Sequence, residues 1–269
     1  MGPALLFAPA DRPERFIKAA ERSDTVIIDL EDAVAHEAKA EARENMVKSG
    51  LNPASTMVRI NALNTKDARL DLAAVDRSKF DTIMIAKASD VDSIAALTRY
   101  KVVVLCETAA GILAAPRLAK LSNVVALMWG AEDLVASLGG TSSRFTTGPY
   151  AGTYRAVAMQ ARSQLLLAAG AAGKPAIDSI YADFADLDGL AQEADDAVAS
   201  GFGAKACIHP SQVAVVRDAY RPSDSEVAAA RELLAAAEEA GTGVFAFKGK
   251  MVDGPILLHA KKIITRSTL

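Results

Sequence analysis

Residues 101–107 read KVVVLCE and residues 124–130 read VVALMWG. Both are short, nearly unbroken apolar runs with no polar residue at every second position. A strand wet on one face alternates, whereas a continuous run is buried on both faces, as in a parallel sheet covered by helices. Six further runs share this character: ALLFAP (4–9), TVIIDLE (25–31), MVRIN (57–61), TIMIAK (82–87), PAIDSI (175–180) and AKACIHP (204–210). Helical patterns separate them, namely DRPERFIKAAER, HEAKAEARENMVKS, ARLDLAAVDRS, DVDSIAALTRY, a short AAGILAAPRLAK and a long helix over 150–173. Eight strand–helix units at roughly 30 residues each predict an α/β fold of the (β/α)8 TIM-barrel type, whose usual length is about 250 residues. An open doubly wound sheet is the competing arrangement, but no G-x-G-x-x-G follows the first strand.

The barrel is expected over residues 1–222, with a C-terminal helical lid extension over 223–269. In SDSEVAAARELLAAAEEA (223–240), Ser223 and Glu226 have the spacing of a capping box at a helix start. Glycines at 241, 243, 249 and 254 then break the pattern before a last helical run, ILLHAKKIITRS. Such a Gly-punctuated joint suits a mobile lid.

A chain of 269 residues, 51% hydrophobic, builds a large core without disulfides or a structural metal. Its net charge of −3 argues against nucleic acid as a main partner. Cys106 and Cys207 lie in separate apolar runs and are expected to be buried and reduced, and His36, His209 and His259 form no H-E-x-x-H motif. The first residues carry no basic n-region and no apolar stretch of membrane-spanning length, so a cytoplasmic protein without membrane attachment is expected.

A (β/α)8 barrel carries its chemistry at the C-terminal ends of the strands. Here those ends hold Asp29, Glu31 and Asp32; Arg59 and Asn61; Lys87; Glu107; Glu132 and Asp133; and His209. Glu107 and Asp133 each follow an apolar run on what should be adjacent strands. Two carboxylates held together repel unless a cation lies between them. Mg²⁺ commonly takes one or two carboxylates and completes its shell with water and substrate oxygens; a proton-sharing or Lys/Arg-paired couple is the alternative. Backbone N–H groups of Gly130-Ala131-Glu132-Asp133 at a helix start suit a substrate carboxylate, and Gly139-Gly140 either shapes the rim or makes a plain turn. Arg59 suits an oxyanion or a buried ion pair. Arg12, Arg15, Lys18, Lys39 and Arg43 are candidates for nucleotide phosphates or simply a solvated face. His209-Pro210 reads as a rigid strand end.

Together LFAPADRPERFIKA, IIDLEDAV (27–34), VRIN (58–61), ETAAGI (107–112), MWGAEDLVASLGG (128–140), CIHPSQV (207–213) and FKGKMVDGPILLHA (247–260) resemble the citrate lyase β-subunit-like branch of the HpcH/HpaI aldolase family. The resemblance spans essentially the whole chain. It implies Mg²⁺-dependent carbon–carbon lyase chemistry on a β-hydroxyacyl thioester, usually of coenzyme A, of malyl-, citramalyl- or hydroxymethylglutaryl type, yielding an oxo acid. By matching motifs it makes Glu107 and Asp133 the metal ligands, Arg59 a catalytic and substrate-binding residue, and Glu107 a neighbour of the substrate. Asp253 matches a mobile acid/base aspartate, supplied in several members by a neighbouring subunit, so the resemblance also implies a homo-oligomer, a trimer or hexamer. Action on a carrier-bound citryl thioester within citrate lyase, malate synthase or thioesterase activity, and a non-catalytic metabolite-binding or assembly role are the alternatives.

Overall fold

The apolar runs form β1 (Ala4–Pro9), β2 (Thr25–Asp29), β3 (Thr56–Ile60), β4 (Thr82–Ile85), β5 (Lys101–Cys106), β6 (Val124–Trp129), β7 (Ala176–Asp178) and β8 (Ala204–Cys207). In this computed structural model, which describes residues 2–241 and 243–268, the strands pair in parallel in sequence order and β8 closes on β1. The fold is therefore the expected (β/α)8 barrel. Helices α1 (Phe16–Arg22), α2 (Lys39–Lys48), α3 (Lys66–Asp76), α4 (Val91–Ala95) and α5 (Ala109–Leu118) follow the first five strands in turn. Two helices, α6 (Ala131–Ser137) and α7 (Ala156–Ala171), follow β6, then α8 (Leu187–Ser200) follows β7 and α9 (Pro210–Tyr220) follows β8.

Alternation on each strand decides what fills the barrel. Leu5, Ile27, Met57, Met84, Val103, Leu105, Ala126, Met128, Ile177, Ala204 and Ala206 make one buried interior cluster. Bulky Met57 and Met84 on β3 and β4 share it with the small alanines of β6 and β8, so volume is balanced across the barrel. Cys106 and Cys207 are both buried, as expected.

Several boundaries differ from the sequence reading. Strand β2 stops at Asp29 because the Glu31 amide donates to Asp29 Oδ1 at 2.9 Å instead of joining the ladder. Similarly β8 stops at Cys207, where the Ile208 amide donates to Gln212 Oε1 at 2.9 Å. The helix expected over 150–173 begins only at Ala156, because Gly152 takes a left-handed φ of 84° and Arg155 is extended at its N-cap. Helix α5 contains Pro116, whose missing N–H would leave the Ile112 carbonyl unbonded. Gln164 of α7 donates to that carbonyl at 3.2 Å, repairing the gap.

The chain divides into two compact units, one ending at Val216 and the other beginning at Arg217. In the second, α10 (Asp224–Ala240) opens with the Ser223–Glu226 capping box and ends on left-handed Gly241. A hairpin of β9 (Phe245–Phe247) and β10 (Lys250–Val252) turns through Lys248 and Gly249, both at positive φ, as a two-residue turn demands. Helix α11 (Gly254–Arg266) follows, with Pro255 in its first turn. Among the described residues, no helix is long and apolar enough to cross a membrane.

Candidate active site

Two residues beyond the interior core, the same strand faces deliver a second layer at the mouth of the barrel. Phe7 follows Leu5, Asp29 follows Ile27, Arg59 follows Met57, Glu107 follows Leu105, Gly130 follows Met128 and Ser179 follows Ile177. All six line one cavity of about 570 Å³, and Asp133 from the first turn of α6 lines it with them. The structure thus brings Arg59, Glu107 and Asp133 together.

The β2–β3 register sets Asp29 beside Arg59. Arg59 Nε donates to Asp29 Oδ1 at 2.7 Å and Nη2 to Oδ2 at 2.6 Å, a two-pronged clamp that fixes the guanidinium plane. Its third nitrogen lies 3.3 Å from Glu31 Oε2, and the face of Phe7 supports the group at 4.8 Å. Burial opposes the charge of Arg59, but Asp29 and Glu31 outweigh it and hold the group protonated.

Glu107 is only 2% exposed, and its Oε1 accepts the Lys87 amide at 3.0 Å. Burial, and then the charge of Asp133, push its carboxyl up to about 8, against the pull of Arg59 and Lys87. A Cβ on residue 130 would meet Glu107 Cβ and Oε2 at 2.8 Å, so Gly130 is the residue that admits this carboxylate. Lys87 itself takes a left-handed φ of 52°, a conformation costing a non-glycine residue about 1–2 kcal/mol. Its ammonium pairs closely with Glu31, reaches Asp32 Oδ2 at 3.0 Å and lies 3.8 Å from Asp133 Oδ1. Burial opposes its charge, but Glu31 and Asp32 hold it above the usual lysine range. Among the described residues, no three His, Cys, Asp or Glu side chains converge as a metal-ligand group.

The basic candidates separate into two kinds. Arg15 and Lys18 line the cavity from the α1 side, joined by Arg22, which the sequence did not single out, whereas Arg12 does not line it. Lys39 and Arg43 are buried and committed elsewhere: Lys39 Nζ binds Asn61 Oδ1 at 2.7 Å, and Arg43 binds Asp67 at 2.5 Å and Asp71 at 2.7 Å. They hold α2 to the barrel. The Ala131 amide donates to Ser179 Oγ at 3.2 Å, so it already has a partner. Glu132 accepts from Ser143 Oγ at 2.5 Å, which ties the irregular segment before α7 to the start of α6. Gly140 packs on Val135, where a Cβ would come within 2.6 Å of Val135 Cγ1, so Gly139-Gly140 is a helix-end turn. His209 lines the cavity, its Nδ1 lies 2.7 Å from Ser211 Oγ, and its ring stacks on Phe184 at 5.2 Å.

Asp253 belongs to the second unit. It occupies the N-cap position of α11 in an extended conformation, yet its side chain makes no capping hydrogen bond. Asp253 is half-buried, and its carboxylate is not spent on the helix start.

Residues 4–210 match the family model described as HpcH/HpaI aldolase/citrate lyase. The chain belongs to the HpcH/HpaI aldolase/citrate lyase family. Within it, the chain is 48% identical over 266 residues to a citrate lyase subunit beta-like protein of Mycobacterium tuberculosis, covering 99% of this chain and 96% of that one. It is 34% identical over 278 residues to a (3S)-malyl-CoA thioesterase of Cereibacter sphaeroides, covering 98% and 94%. A crystal structure of the family member CitE from Mycobacterium tuberculosis, in complex with magnesium, acetoacetate and coenzyme A, superimposes with a TM-score of 0.92 at 47% identity, covering 100% of this chain and 98% of that one.

Strand-end reading finds Arg59, Glu107 and Asp133 because each lies at or just beyond the end of an apolar run. Asp29 and Glu31 were visible in the same way, but their attachment to Arg59 needed the β2–β3 register.

Proposed function

We propose that this chain is a Mg²⁺-dependent carbon–carbon lyase that cleaves a β-hydroxyacyl-CoA thioester into an acyl-CoA and an oxo acid. The carrying observation is the pair Glu107 and Asp133 at the cavity that Arg59 also lines, with Glu107 reluctant to ionise beside its neighbour. Such a pair fits a hard divalent cation, and two carboxylates suffice when water and substrate oxygens complete the shell. Glu107 and Asp133 would hold the ion. Bound there, it supplies Lewis-acid polarisation of the oxygens of the oxo-acid fragment.

The protein's own groups account for the remaining steps. Loss of the β-hydroxyl proton to a base starts a retro-aldol cleavage: the hydroxyl carbon becomes a carbonyl, and the bonding electrons pass to the thioester as an enolate. Arg59, held rigid by Asp29, places fixed positive charge where that enolate develops. A proton returned to the enolate carbon completes the acyl thioester. Asp253 is the acid/base group in this reading, on the strength of its KMVDGP motif, and it is supplied by a neighbouring protomer of a cytoplasmic homo-oligomer built from trimers. Arg15, Lys18 and Arg22 give the thioester's phosphates a cationic wall.

The relatives support this reading: the Mycobacterium CitE structure holds magnesium, acetoacetate and coenzyme A, and the family description is that of aldolases and citrate lyase. Thioester hydrolysis is the second reading, favoured by the malyl-CoA thioesterase relative. Turnover of malyl-, citramalyl- and hydroxymethylglutaryl-CoA with Mg²⁺ tests both, with oxo acid and free CoA scored separately. Oxo acid without free CoA is expected; free CoA alone would replace the lyase by a thioesterase. For Asp253, mixed oligomers of Asp253→Asn and Arg59→Lys should regain activity that neither homomer has. Verified mixed oligomers without recovery would reject donation between protomers.

A further inference from the structure

Lys87 stands where the chain leaves β4, and its backbone departs from the ladder at one residue. The Ala86 amide donates to the Ile60 carbonyl of β3 at 3.2 Å, and the Ala88 amide to the Leu105 carbonyl of β5 at 3.0 Å. Between these two committed amides, the left-handed φ of Lys87 turns its own N–H out of the ladder and onto Glu107 Oε1. Glycine adopts this backbone at ease, and lysine does not. Strained conformations of this kind cluster where a side chain is needed in place.

The side chain runs in the direction that this turn gives it. Its ammonium pairs closely with Glu31, lies 3.0 Å from Asp32 Oδ2 and stands 3.8 Å from Asp133 Oδ1. Glu31 in turn lies against Arg59 at 3.3 Å. One residue therefore touches carboxylates that follow β2, β5 and β6, one by its backbone and three by its side chain.

We infer that Lys87 is a positioning residue: it orients Glu107 through its amide and fixes Glu31 and Asp133 through its ammonium, so that the carboxylate pair is formed before any ligand arrives. Its metal arm rests on the reading of Glu107 and Asp133 as Mg²⁺ ligands. Asp133 has 41% of its side chain exposed, so it depends on an external partner to hold its place. Simple electrostatics makes the opposite prediction, because deleting a cation near two carboxylates should tighten their hold on Mg²⁺.

Lys87→Gly separates these possibilities, since it keeps the left-handed turn and the amide while deleting the ammonium. Lys87→Asn, which also tolerates this backbone, is the second variant in case the first does not fold. Calorimetric titration of Mg²⁺ into wild type and folded variants should show affinity weakened about tenfold or more, the size seen when groups that orient metal ligands are lost. Unchanged or tighter Mg²⁺ binding would overturn the proposal. Metal-free crystal structures of wild type and variant supply a readout independent of the metal. Glu31 and Asp133 should move from their wild-type positions, and finding both in place would reject Lys87 as their anchor. A wild type that binds no Mg²⁺ at all would instead remove the metal reading, leaving these crystal structures to decide the role of Lys87.

Discussion

Two groups of charge lie within the same barrel and differ in how completely they are satisfied. Behind β7 and β8, Asp178 and Lys205 point outward because Ile177, Ala204 and Ala206 point in. Asp178 accepts from Arg162 at 3.0 and 3.1 Å, from Lys205 at 3.3 Å and from Trp129 Nε1 at 2.7 Å. Lys205 also reaches Glu193 at 2.8 Å and the Ser179 carbonyl at 2.7 Å. Burial opposes the charge on Asp178, yet Lys205 and Arg162 keep its carboxyl below the usual range. At the mouth, Asp29, Glu31, Asp32, Glu107 and Asp133 gather around Arg59 and Lys87, and burial drives Glu107 the other way, up to about 8. Matched charge sealed between strand and helix fixes structure. Excess negative charge facing a cavity is left for a ligand to satisfy.

Breaking the sealed group should cost the most. Lys205→Met removes one partner from a buried network, and urea unfolding should show a loss of about 3–5 kcal/mol. The Mg²⁺ affinity of the folded fraction should not change. A variant as stable as wild type would erase the structural side of the contrast.

At the mouth, Arg59→Lys keeps the charge and loses the fork that Asp29 grips. Turnover should drop by about 10²–10³, the size typical of a lost transition-state donor, with little change in melting temperature. Equal turnover with the substrate panel would remove Arg59 from the chemistry.

Acidity sharpens the comparison further. Folded Glu107 keeps its proton up to about pH 8, whereas the unfolded carboxyl ionises near the usual 4.5. Ionisation therefore favours the unfolded state as pH rises through this window, and the cost is complete above it. In chelator, the lead of Glu107→Gln over wild type should grow between these values to at most about 5 kcal/mol and persist at higher pH. Parallel stability–pH curves would mean that Glu107 is no more strained than Asp178.

The smallest effect falls at the seam. Ser179 accepts the Ala131 amide through Oγ and the Lys205 ammonium through its carbonyl, so it touches both groups. Ser179→Ala should cost about 1 kcal/mol in urea by orphaning the buried amide. A neutral result would show that the start of α6 needs no support from β7.

The contrast was only half legible in the sequence. An apolar run announces a strand and the charges after it announce an end, which is why Arg59, Glu107, Glu132 and Asp133 all stand out in the sequence, while the family resemblance singles out Arg59, Glu107 and Asp133 among them. Asp178 and Lys205 sit inside such runs, but their partners Arg162 and Glu193 lie on helices whose facing is set by packing. The left-handed turn at Lys87 has no sequence signature, because glycine and asparagine are the residues that usually mark it. Lys39 and Arg43 looked like surface cations in an Ala- and Glu-rich helix, and only the packing of α2 reveals that they are buried. The start of α7 was not legible either: the apolar, helix-compatible run continues back to 150, and only the left-handed Gly152 and the extended Arg155 delay the helix to Ala156.

Calorimetric titration of Mg²⁺ into wild type, Glu107→Gln and Asp133→Asn asks most directly whether the excess negative charge at the mouth is a metal site. Wild type should bind one ion per chain, and each substitution should abolish or severely weaken that binding while the protein stays folded. Undiminished affinity in both variants would contradict the account.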